Sequence, residues 1–104
     1  MQFRYALQIW KSEDFEGISS VYNTIGFTYA ETEQFELAVY YYKEALKNNT
    51  EYTIALNNLG YAYEKQKMLK EAFTAYKKVI EKEPSNEIAL SRIQVLKRRI
   101  PKSG

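Results

Sequence analysis

A chain of 104 residues, 45% hydrophobic and 27% charged with a net charge of +2, has the size and composition of one packed domain. It contains neither Cys nor His, which removes thiol nucleophiles, disulfides, zinc-ligand sets and every His-based acid–base arrangement. Its longest apolar run, Leu37–Tyr42, falls far short of the ~20 residues that cross a bilayer, and Arg4, Gln8 and Lys11 interrupt any signal-peptide core.

The charge is graded along the chain, from net −4 over residues 1–52, through +2 over 53–86, to +4 over 87–104. Such a gradient either orients the molecule on a charged partner or simply keeps its faces solvated. Ten tyrosines supply large contact areas with polar tips.

In chain order, Gln2–Lys11 places Phe3, Ala6, Ile9 and Trp10 at helical spacing. Residues 1–18 read as a partial leading repeat, the second helix of a unit whose first helix is absent. Phe3, Tyr5 and Trp10 are poor residues for a polar end-cap, so more chain is expected upstream, or another surface against this end.

The next two stretches repeat each other. With Ser19–Tyr52 slid onto Thr53–Asn86, six positions 34 apart are identical: Asn23/Asn57, Gly26/Gly60, Tyr29/Tyr63, Ala38/Ala72, Tyr42/Tyr76 and Lys43/Lys77. Within the second unit, apolar residues recur at spacings of three and four over Leu56–Tyr63 and again over Leu69–Ile80, predicting two amphipathic helices. The polar stretch Glu64–Lys67 is the turn between them, and Pro84 ends the second helix. The first unit repeats the pattern and ends at Asn48–Asn49–Thr50. A helical glycine costs about 1 kcal/mol against Ala, so Gly26 and Gly60 imply a close helix crossing that offsets this, with Ala38 and Ala72 as small partners. Glu87–Ile100 predicts a final capping helix with Ala89, Ile93, Leu96 and Ile100 on one face and Arg92, Lys97, Arg98 and Arg99 outside; residues 101–104 form a tail.

The pattern Leu56, Leu59-Gly60, Tyr63, Ala72, Tyr76, Pro84, echoed by Tyr22, Ile25-Gly26, Tyr29, Ala38, Tyr42, Ala45, resembles the tetratricopeptide repeat (TPR) family. The resemblance implies an all-α, right-handed helical solenoid of antiparallel helix-turn-helix repeats. It also implies a non-catalytic role, with the first helices lining a groove that takes a polypeptide. Carried over by position, Ser20, Asn23, Phe27, Ala30 and Glu31 face this groove, with Ile54, Asn57, Tyr61, Glu64 and Lys65. Asn58 and Arg92 stand at a matching edge. The candidate protein-binding set is Asn23, Phe27, Asn57, Asn58, Tyr61, Lys65 and Arg92, in which amides address a peptide backbone and aromatic rings anchor it.

The clamp for chaperone tails known in this family is matched only at Asn58 and Arg92. Asn23, Phe27 and Ile88 replace its other members, which removes two ammonium groups. A regulatory or co-chaperone module stays open as an alternative. So does a basic-tail binder of anionic lipid or RNA acting through Lys97, Arg98, Arg99 and Lys102, although the acidic N-terminal half opposes nucleic acid. No cofactor or metal is expected. The carboxylates Glu31, Glu33 and Glu36 are expected in turns or at helix starts, with the helix dipole in their favour.

From Val21 to Ile100, and above all in SRIQVLKRRI, the chain is similar to the soluble part of the photosystem I assembly proteins of cyanobacteria and plastids. That likeness implies photosystem I subunits as partners, and a place in the plastid stroma or cyanobacterial cytoplasm against the thylakoid.

Overall fold

The computed structural model describes residues 15–101, in which five helices follow one another: α1 (Phe15–Glu31), α2 (Phe35–Asn48), α3 (Thr53–Lys65), α4 (Leu69–Lys82) and α5 (Glu87–Arg99). Each helix packs on its neighbours in the chain, and α1 also touches α3. The result is the all-α TPR solenoid, elongated at 57 × 29 × 20 Å. The leading helix expected over Gln2–Lys11 lies outside the described residues, as does Lys102.

One core runs through the stack. Ala38, Tyr42, Leu56, Ala62, Ala72, Tyr76, Val79, Ala89 and Leu96 are buried in it, and Tyr29, Leu46, Ile80 and Ile93 close over it. The expected apolar face of the last helix is thus turned inward. On the α1–α2 side, Tyr41 stacks on Tyr22 and Tyr29 with centroids 6.2 and 5.6 Å apart. Much of the tyrosine content is packing material.

Both helix crossings are built on the repeat glycines. A Cβ on Gly60 would lie 2.6 Å from Tyr76 Cζ, and one on Gly26 would lie 2.8 Å from Tyr42 Cδ1. The glycine lets a whole tyrosine ring lie on the backbone of the facing helix. Burying that ring offsets the loss of about 1 kcal/mol in helix propensity.

The turns within the repeats are equally matched. Glu33 and Lys67 adopt left-handed φ of 63° and 66°. The next residue then donates its N–H back to a tyrosine carbonyl, Gln34 to Tyr29 and Met68 to Tyr63, each at 2.9 Å. These are Schellman closures with non-glycine residues at the strained position. Glu33 sits in the turn and Glu36 in the first turn of α2, as expected, whereas Glu31 is the last residue of α1 and lies neither in a turn nor at a helix start.

Gly60→Ala is expected to lower stability by about 1–3 kcal/mol through overpacking, against the propensity gain. In a Tyr76→Leu background the same change should cost much less. Urea unfolding of the four proteins checks this, and equal costs in both backgrounds would exclude the crossing as the reason for the glycine.

Candidate partner-binding face

The outward face of the first helices carries two exposed aromatic residues; a third, Tyr40, lies on α2. Phe27 is 49% and Tyr61 50% exposed, at equivalent positions of successive repeats, with Ile54 and Ile88 forming a second exposed row. The Lys65 ammonium sits 5.8 Å from the Tyr61 ring centroid, and Phe35 meets the same ring edge-on at 6.4 Å. Phe27, Tyr61 and Lys65 are thus brought together on accessible surface.

The asparagines are placed differently. Asn58 donates from Nδ2 to Asn23 Oδ1 at 3.0 Å, tying the first repeat to the second. Asn57 donates from Nδ2 to Asn86 Oδ1 at 3.3 Å, and the same Asn86 oxygen accepts the Ala89 N–H that starts α5. All three candidate asparagines are half-buried, and they spend hydrogen bonds on joining repeats. Asn57 Oδ1 is buried with no partner among the described residues.

Arg92 and Glu64 form a two-donor ion pair. The Arg92 guanidinium grips the Glu64 carboxylate with two donors, Nε at 2.9 Å from Oε2 and the other from Nη2 to Oε1. Tyr76 Oη donates to the same carboxylate at 2.9 Å. Glu64, expected in the groove, is instead only 8% exposed and joins three helices. It replaces Ala30 of the first repeat, and a carboxylate at a core-facing repeat position is the signal that could have found it. Arg92 keeps partial exposure but is committed to this pair.

Burial pushes the Glu64 carboxyl up, but the Arg92 and Tyr76 bonds and the guanidinium charge outweigh it and hold it below the ordinary value. The Tyr76 hydroxyl is driven up by burial and by its bond to the carboxylate. Tyr42, the equivalent of Tyr76, is pushed up to about 12 by burial alone.

At the first repeat junction, where Ala30 stands in place of Glu64, a cavity of about 440 Å³ opens beside Tyr42. Phe27 and Tyr61 form part of its walls, with Asn58 and Lys65 at its edge. Lys97, Arg98 and Arg99 lie in the last turn of α5, where the helix dipole favours cations. Among the described residues no cluster of acidic side chains could hold a metal ion, and no helix is long and apolar enough to cross a membrane.

Known proteins agree with this architecture. Two tetratricopeptide repeat profiles match residues 19–52 and 53–86. The chain belongs to the tetratricopeptide repeat family. It is 45% identical over 58 residues to an uncharacterized protein, ycf37, of Guillardia theta, a match covering 56% of this chain and 33% of that protein. The matched segment is about a third of that relative's length. Among solved structures, the first TPR of Spaghetti (RPAP3), bound to the HSP90 peptide SRMEEVD, superposes with a TM-score of 0.52. The superposition covers 81% of this chain and 94% of that one at 19% identity, a likeness of fold.

Because the folded Glu64 carboxyl lies below its ordinary value near 4.5, its stabilisation is complete above that pH and is lost as pH falls toward the folded value. Glu64→Gln is expected to lower stability at pH 7 by about 1–3 kcal/mol and to flatten the fall in stability below pH 4.5. Denaturant midpoints of both proteins across the acid range check this; an unchanged acid slope would remove the pair from the account.

Proposed function

We propose that this chain is a non-catalytic scaffold that holds a partner polypeptide along the exposed face of α1 and α3 while a larger membrane complex is assembled. The observation that carries this reading is the row formed by Phe27 and Tyr61, two half-exposed aromatic rings at matching repeat positions with Lys65 beside them. Large rings left half in water at the same position of successive repeats favour a surface that is covered in use. The half-buried Asn23, Asn57 and Asn58 set the spacing of that surface through the bonds they make to one another and to Asn86. Arg92 contributes by fixing α5 against α3.

The assembly role, with photosystem I as the complex, rests on the similarity of Val21–Ile100 to that family of assembly proteins. Location in the stroma or cyanobacterial cytoplasm, at the thylakoid, belongs to the same reading. Lys97, Arg98 and Arg99 would face the anionic membrane surface, each adding about 1 kcal/mol when close to it.

Phe27→Ala with Tyr61→Ala should leave the helical circular dichroism unchanged, since both rings are half in water. In the organism of origin, the doubly substituted protein should cross-link to its partner polypeptides at about a tenth of the wild-type yield or less. Equal cross-linking yields would take the aromatic row out of the binding surface.

A further inference from the structure

The two repeat junctions are built from equivalent positions but are filled differently. In the second junction the Glu64 carboxylate and the Arg92 guanidinium occupy the space before Tyr76, and the guanidinium lies beside the Tyr76 hydroxyl. In the first junction both groups are missing. Ala30 takes the place of Glu64 and Asn58 that of Arg92, and the cavity of about 440 Å³ remains. At this cavity the Tyr42 side chain is 2% exposed, and its hydroxyl has no hydrogen-bond partner among the described residues.

The charge of the rim is also reversed. The residues that end the first helix and make its turn are Lys65 and Lys67 in the second repeat, and Glu31 and Glu33 in the first. Glu31 and Glu33 both line the cavity, so its rim is net negative even with Lys65 on the opposite lip. Stability does not account for Glu31: it sits in the last turn of α1, a turn without a basic residue, where the negative end of the helix opposes a carboxylate.

We propose that the cavity at the first junction is a socket for an arginine side chain of the partner polypeptide. The guanidinium would donate to the Tyr42 hydroxyl and to the rim carboxylates, with its flat face against the Phe27 and Tyr61 rings. A planar cation with a fork of donors fits aromatic walls and separate carboxylates better than a point-like ammonium does. Asn58 Oδ1 adds a neutral acceptor, because only the Nδ2 of that amide is used toward Asn23. The partner thus supplies from outside the group that Arg92 supplies from within. This rests on the scaffold reading above and names the chemistry of what the scaffold holds.

The test is selection of binders from a display library of random peptides on the whole chain, followed by affinity measurement on the synthetic peptides. Selected peptides are expected to share an arginine, and its replacement by alanine should weaken binding about tenfold or more. Glu31→Gln with Glu33→Gln should weaken the same peptides about fivefold while leaving the melting temperature level or slightly raised. Ala30→Leu, which fills the socket, should abolish the arginine dependence. Binders that lack arginine, prefer acidic residues, or hold equally well to the Glu31→Gln/Glu33→Gln protein would overturn the socket and leave the scaffold standing. A selection that yields no binder at all would overturn both.

Discussion

A tyrosine ring pressed onto a helix backbone that carries no Cβ is the contact on which the rest of this molecule depends. It occurs twice, at Gly26 with Tyr42 and at Gly60 with Tyr76. Each crossing brings two helices close enough for Ala38 or Ala72 to be fully buried, and the ring then closes the gap. Because neither helix of a pair can hide its apolar face alone, the next repeat must stack on top. The second pair in turn passes its uncovered face to α5. The exposed aromatic row exists because the crossings set the angle at which the first helices present their outer faces.

The polar groups divide along the same repeat. Taking a carboxylate and a guanidinium out of water is expensive unless geometry and further hydrogen bonds compensate. Glu64 meets that condition with two donors from Arg92 and one from Tyr76, and Arg92 keeps part of its side chain in water. The first junction avoids the expense with Ala30 and Asn58, and what it leaves instead is space. Asn57 shows the same division on a smaller scale. Its counterpart Asn23 accepts a bond from Asn58, whereas the residue equivalent to Asn58 in α5 is Arg92, which turns to Glu64 and leaves Asn57 Oδ1 unpaired.

What was legible in the sequence was whatever repeats. Helix spacing and the close crossing at the glycines are periodic, and the stop at Pro84 is local. The periodic features recur at a fixed interval, and chance similarity cannot imitate that. Phe27, Tyr61 and Lys65 were legible as surface for the same reason, since they alternate with core positions. The role of Glu64 was not legible. Whether a glutamate on a helix faces water or a buried tyrosine depends on which neighbour reaches it, and Arg92 comes from 28 residues away. The asparagine links were hidden likewise, because an amide serves a peptide backbone and another amide equally well. The placement of Glu31 failed through a shorter-range effect. The left-handed turn at Glu33 closes α1 after Glu31, and so the glutamate falls at the end of that helix instead of at the start of the next.

The graded charge then acquires a structural meaning. Glu31 and Glu33 of the first repeat lie at the junction that lacks an internal ion pair, and the basic residues Lys97, Arg98 and Arg99 end α5 beyond the junction that has one. In a stack of nearly identical units, shape alone would let a bound chain slide by one repeat, because each groove segment resembles the next. Position 12 of the repeat breaks that degeneracy: alanine at 30 leaves a polar hollow, and glutamate at 64 fills its counterpart. On the binding reading proposed above, a solenoid with one open junction and one sealed junction would accept its partner in one alignment only.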